Sequence, residues 1–166
     1  MKIFLLLLFI STISFKTYTQ EYSEAFGIRG GLTSGLTYKK FLNEEVAMEA
    51  ILSFRERGMQ MTVVRQLHEI TLIEFTDKLF FMKGYGGHLG YTFSDKYRFF
   101  FREFNYPHKR FSPVFGMDAY LGMEYRMESF PLALGIDYKP YFEISITHPF
   151  QFRIWDIALF IRYSFE

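Results

Sequence analysis

The chain has no cysteine, one tryptophan and five prolines among its 166 residues. Without cysteine there is neither a disulfide framework nor a thiolate metal site. The absence fits an oxidising compartment, where stray thiols are a liability. Strong charge of one sign is also missing, with 19 Lys and Arg against 18 Asp and Glu. The overall balance therefore gives no argument for nucleic-acid binding. Beyond residue 20 no apolar run approaches the roughly 20 residues that a membrane-spanning helix needs. Neither G-x-S-x-G nor H-E-x-x-H occurs, so the motifs that announce a serine nucleophile or a zinc protease are absent.

What the chain has in excess is rings: aromatic residues make up 21%, with 22 Phe and 12 Tyr. A soluble domain of this size has too high a surface-to-volume ratio to bury so many, which implies an apolar surrounding other than its own core. The N-terminus points to export. MKIFLLLLFISTISFKTYTQ carries Lys2, an apolar run Ile3–Ile10 that trails off by Ile13, then small and polar residues. This is the layout of a signal peptide, expected to span 1–19 with cleavage after Thr19. Removing Lys2 and Lys16 leaves 17 basic against 18 acidic residues.

Most of the remainder alternates with the period of two that marks strands. In Pro113–Met127, Phe115, Met117, Ala119, Leu121, Met123 and Tyr125 share one face, opposite Gly116, Asp118, Tyr120, Gly122, Glu124 and Arg126. Val46–Arg55, Leu132–Lys139 and the closing IALFIRYSFE behave alike. Each strand thus offers an apolar face and a face of glycines mixed with charges of both signs. A solvent face would carry more Lys, Glu, Thr and Ser and little glycine. Glycine with balanced charge suits a narrow barrel lumen, with the apolar face turned to lipid.

The pattern divides into eight strands, at 25–32, 36–42, 46–55, 59–68, 79–92, 112–127, 132–144 and 155–165. The expected fold is all-β: an eight-stranded antiparallel up-and-down transmembrane β-barrel formed by residues 20–166 as one domain. Residues 27–42 are read as two strands joined at 33–35, with one bent strand as the alternative. Residues 65–75 also admit a short helix. Leu121, in the apolar face of the sixth strand, is expected near mid-membrane.

The expected lumen set is Arg29, Lys39, Glu49, Arg55, Asp118, Glu124, Arg126, Asp137, Lys139 and Arg162. Eight strands leave an interior just wide enough for side chains, so mixed charges imply a salt-bridged plug. Arg162 is expected to face an acid such as Glu124 or Asp137. The connection 93–111 interleaves Lys96, Arg98, Arg102, Lys109 and Arg110 with rings and only two acids, Asp95 and Glu103. The favoured reading is strand extension into an interfacial aromatic girdle. The other is contact with a cell-surface ligand, acidic lipid or polysaccharide headgroups above all.

The segments FGIRGGLTSGLTYKKFL (26–42), VAMEAILSFRERG (46–58), GYGGHLGY (84–91), GMDAYLGMEYRM (116–127), LGIDYKP (134–140) and IALFIRYSF (157–165) resemble the small outer-membrane β-barrel families of Bacteroidetes-type bacteria, similar in shape to OmpA and OmpX barrels. The resemblance covers nearly all of 20–166. It implies location in the outer membrane, outer-membrane lipid as surrounding, and insertion by the barrel assembly machinery through a C-terminal aromatic signal, here Tyr163 and Phe165. Such signals usually end on the aromatic, whereas Glu166 follows here. No cofactor and no catalytic residue is implied. The expected role is structural or surface-interacting and non-enzymatic. Two alternatives belong to other classes: a lipid-modifying barrel enzyme using His88 or His68, and a secreted soluble β-barrel binding a small apolar ligand.

Overall fold

A computed structural model of the chain describes residues 23–55, 58–70, 78–99, 102–127, 129–145 and 150–165. Along 94–99, 102–107 and 109–110 the backbone alone is described. The expected signal peptide, the side chain of Arg55, residues 71–77 of the fourth connection and Glu166 lie outside the described residues.

Ten strands occur in the order β1 (Glu24–Gly31), β2 (Ser34–Phe41), β3 (Val46–Arg55), β4 (Gly58–Ile70), β5 (Leu79–Phe99), β6 (Arg102–Arg126), β7 (Leu132–Tyr138), β8 (Tyr141–Ser145), β9 (Gln151–Arg153) and β10 (Ile157–Phe165). Two pairs of these act as single staves. β6 pairs Leu121 with Tyr138 and Asp118 with Tyr141 in one unbroken register, so β7 and β8 are one strand interrupted at Lys139 and Pro140. Opposite, Tyr141 pairs with Arg153 but Tyr138 pairs with Ile157, a shift of one residue. Ile154 and Trp155 therefore face the single residue Pro140, a β-bulge. Proline explains its position. Its carbonyl accepts the Ala119 N–H at 2.9 Å, but it has no N–H to offer the other neighbour, and a proline within a sheet settles at a bulge.

Counted by staves, the sheet is a closed eight-stranded antiparallel barrel. β1 pairs with both β2 and β10, and β5 pairs with both β4 and β6. Among the described residues there is no helix. The eight-strand division read from the alternation therefore holds. Residues 27–42 do split into two strands, though the turn is Leu32–Thr33, slightly earlier than 33–35. Arg65–Ile70 continue β4 as a strand and are not helical. The next turn is organised by Asn43, whose Oδ1 accepts the backbone N–H groups of Glu45 and Val46 at 3.1 and 2.7 Å. Such an Asx turn supplies locally the bonds that the ladder cannot.

The largest departure is at 93–111. Strands expected to end at 92 and begin at 112 instead run on as a two-stranded ribbon, pairing Phe93 with Phe111 and Tyr97 with Phe104. Phe and Tyr favour pleated, half-buried surfaces, and the segment contains no glycine to enforce a turn. Its one proline, Pro107, falls between the pairs Ser94↔Arg110 and Lys96↔Asn105, where the register shifts. β4 and the β7–β8 stave, the neighbours of β5 and β6 in the barrel, stop short of this region. β4 leaves β5 at the pair Gly58↔Thr92, and β8 leaves β6 at Val114↔Ser145.

Burial is inverted relative to a soluble protein. Along β10, Ala158, Phe160 and Arg162 are buried while Ile157, Leu159, Ile161, Tyr163 and Phe165 are exposed. Arg162 is 0% exposed and Leu159 is 65% exposed. β6 alternates the same way, with Asp118, Tyr120 and Glu124 inside and Phe115, Met117, Leu121 and Met123 outside. A small apolar cluster of Ile51, Val64, Met82, Tyr120 and Phe160 lies within the interior. Inward glycines make room for it. A Cβ on Gly135 would run into the Phe160 ring and the Met123 carbonyl. Gly135→Ala is accordingly expected to destabilise the barrel by about 1–3 kcal/mol, the usual range for overpacking. Urea titration of folded barrel in detergent measures it, and a neutral result would mean that both the Phe160 ring and the β6 backbone at Met123 give way.

Candidate functional site: the charged barrel interior

Strand alternation delivers one inward side chain from every second residue, and the charges it delivers form two groups. The first is near the end that carries the chain termini and centres on Glu124 of β6. Its Oε2 accepts from Lys39 Nζ at 2.7 Å and from Arg162 Nη1 at 2.9 Å, while Oε1 accepts from Arg126 Nε at 3.2 Å. Arg162 also reaches Glu49 through Nη2 at 2.5 Å and Thr37 through Nε at 3.3 Å. Its guanidinium lies over the Phe160 ring at 3.6 Å, and that of Arg126 over Phe80 at 3.7 Å. Gln66 donates to Glu49, and His68 Nε2 lies 3.3 Å from Gln66 Oε1.

The second group occupies the half towards the β1–β2 turn. Arg29 grips Asp137 with two prongs, Nη2 to Oδ1 at 2.6 Å and Nε to Oδ2 at 3.0 Å. This two-pronged geometry is the strong form of a charge-assisted bond. Its Nη1 donates to the carbonyl of Thr33, and Thr33 Oγ1 donates to Asp156 Oδ2 at 2.7 Å. Lys139 lies 3.0 Å from Asp118 and 3.5 Å from Asp156. His88 completes the group, with Nδ1 2.7 Å from Asp118 and Nε2 3.4 Å from Glu143, and its ring edge-on to Tyr141. Between the groups stands the fully buried Tyr120, whose hydroxyl has Glu49, Asp137 and Arg162 as electrostatic neighbours.

Of the ten expected lumen residues, Arg29, Lys39, Glu49, Asp118, Glu124, Asp137, Lys139 and Arg162 are buried inside and in these pairs. Arg126 is half-buried at the rim, with its side chain 15% exposed. Arg55 lies outside the described side chains. Arg162 does meet Glu124, but its second acid is Glu49. Asp137 belongs to Arg29. The reading of the residues missed Glu143 and Asp156, both buried. Parity held the signal, since Glu143 is two residues on from Tyr141 and Asp156 two before Ala158, all facing inward. The described interior therefore sets six carboxylates against five Lys and Arg.

Chemically, the arrangement neutralises and fills. An isolated buried charge costs several kcal/mol, and mutual pairing offsets that cost only when the remaining donors and acceptors are also met. His88 and Asp118 have the contact of a general-base pair. His88 is nonetheless 3% exposed and His68 5%, on the inner wall and away from the apolar outer surface. Among the described residues no cluster of three or more His, Asp or Glu has the arrangement of a metal site.

The outer surface has its own boundaries. On β5 the outward residues from Lys83 to Phe93 are bracketed by an exposed Lys83–Glu69 ion pair at one end. At the other, Tyr91, Phe93 and Phe111 gather with ring centroids 5.6–5.8 Å apart. At about 3.3 Å per residue and a tilt of about 40°, this stretch covers roughly 25 Å along the barrel axis. Leu121 stands across from Lys83, and the apolar outward face of β6 continues past it through Met123 and Tyr125. The centre on this side is Leu89, opposite Phe115, with Met117 beside it. Phe142, Phe150 and Phe152 form a second ring cluster on β8 and β9, with Phe142 4.9 Å from Phe152 and across from Met117.

Comparison with protein-family models, with curated proteins and with solved structures finds no match to this chain.

Proposed function

We propose that the protein is an integral outer-membrane β-barrel whose lumen is plugged by its own charged side chains, with a structural or surface-interacting role and no catalysis. The observation that carries this reading is the inverted burial. Arg162, Lys39, Glu124 and Lys139 are 0% exposed, whereas Met117 is 74% and Leu89 70% exposed. Water does not reward such an arrangement. Bilayer hydrocarbon does, because it offers no partner for a charge and costs nothing for apolar surface.

Two further features support it. The belt of roughly 25 Å matches the apolar band of outer-membrane barrels, and the ring cluster at its edge fits an interfacial girdle. The closing strand pairs Glu24 with Phe165 and Gly31 with Ala158 to close the barrel, with Tyr163 and Phe165 outward, where the assembly machinery would read them. Paired charges across the interior favour a plug over a conducting pore. The inward, buried position of His68 and His88 speaks against action on lipid at the outer face.

The test is fractionation of cells producing the full chain. The protein is expected to stay with membranes through carbonate and salt washes, to need detergent for release, and to migrate differently on gels before and after boiling. Release by carbonate alone would remove the membrane reading and favour a soluble barrel.

A further inference from the structure

The ribbon that β5 and β6 form beyond the barrel rim is the one part of the described structure that the plug and belt leave without a task. It departs from the ring at the Tyr91, Phe93 and Phe111 cluster, where the apolar belt ends. Past Thr92 and Val114 its strands pair only with each other. The segment 93–111 holds five basic residues and two acidic ones. In the backbone register one base stands across from an acidic residue, in the pair Arg98↔Glu103. Lys96 lies across from Asn105, Arg110 from Ser94 and Arg102 from Phe99. Outside this segment and the interior, residues 20–166 carry seven Lys and Arg against ten Asp and Glu, so the excess of base is confined to the ribbon. Unpaired strand edges are commonly guarded by charge. Guarding works with either sign, however, and does not call for an excess of one.

Resting on the membrane reading, we infer that the 93–111 ribbon docks on anionic headgroups of the leaflet into which the barrel is inserted. The ring cluster fixes the depth. It places Arg110 and Ser94 at the first paired step beyond the interfacial rings, the level of lipid phosphates, with Lys96, Arg98 and Arg102 further out. Arginine and lysine bind phosphate as charge-assisted donors. Each basic residue held near an anionic surface strengthens the association by about fivefold, with loss in high salt.

The test compares the folded full chain in discs of phosphatidylcholine with discs that also contain phosphatidylglycerol. Amide hydrogen exchange over 93–111 is read against exchange in β1–β4. In the anionic discs, exchange in 93–111 is expected to slow by about tenfold or more, to recover in high salt, and to leave β1–β4 unchanged. The quadruple variant Lys96→Glu, Arg98→Glu, Lys109→Glu, Arg110→Glu is expected to lose the slowing while keeping heat-modifiable migration. Equal exchange in the two kinds of disc at low salt would overturn the inference and leave the bases as edge guards. So would slowing by soluble dextran sulfate on phosphatidylcholine discs without slowing by phosphatidylglycerol, which would assign the ribbon to a free polyanion. Failure to insert into either disc is a separate outcome that sinks the membrane reading as well.

Discussion

Glu124→Ala is expected to cost about 3–5 kcal/mol, the penalty for stripping a buried ion group of one partner. Three cations converge on this carboxylate: Lys39, Arg162 and Arg126. After the substitution Arg162 keeps Glu49, but Lys39 is 0% exposed and among the described residues has no ion pair other than the one with Glu124. The remedy follows from the same logic. Removing Lys39 together with the acid, as Lys39→Met with Glu124→Gln, is expected to recover most of the loss, because replacing a buried pair by neutral groups of similar volume is often close to neutral. Fraction folded against urea, read from heat-modifiable migration in one detergent, measures both variants. An additive double variant would mean that the two residues do not act as a pair.

Leu89→Arg is expected to cost about 2–4 kcal/mol, the value for a cation at the bilayer midplane of such barrels. Leu121→Arg, on the same kind of outward face but across from the Lys83–Glu69 ion pair, is expected to cost less, about 1–2 kcal/mol, because a charged group already lies beside it. The contrast comes from position. Leu89 faces Phe115 and Met61 across its neighbours, while Leu121 faces Lys83. Refolding into lipid vesicles under a denaturant series separates them. Equal penalties would place the belt's centre elsewhere, and no penalty at either site would mean that the outward face does not meet hydrocarbon.

Which residues point inward was legible in the sequence because strand alternation is binary. Once Leu121 and Glu124 are placed on opposite faces, every other residue of β6 follows, and the same holds for β3, β7 and β10. Strand ends were less legible. The segment 93–111 carries Phe and Tyr at strand-like spacing with charges that read as loop, and only pairing decides. Pairings across the lumen were hardest. Arg162 was placed inward, but its choice of Glu49 as second partner depends on the stagger of the staves around the ring, a property no single segment contains. Glu143 and Asp156 were missed for another reason. Their parity was there to read, with Asp137 and Lys139 for Glu143 and with Ala158 and Arg162 for Asp156, but both sit beside strand ends, where alternation alone gives the weakest claim to the inner wall.

The cross-lumen ion pairs have a consequence for how the barrel finds its alignment. Apolar alternation rejects a slip of β10 against β1 by one residue, since that would turn Arg162 outward and Ile161 inward. It is blind to a slip of two, which leaves every face as it was. Charge is not blind to it. A two-residue slip would carry Arg162 about 7 Å along its strand, away from Glu49 on β3 and Glu124 on β6 together, and would offer it Phe160 or Ser164 in its place. The hydrophobic pattern thus narrows the seam to a ladder of evenly spaced alignments, and the buried charges act as the key that fits one rung. The same residues that pair across the interior set the shear at which the wall can close at all.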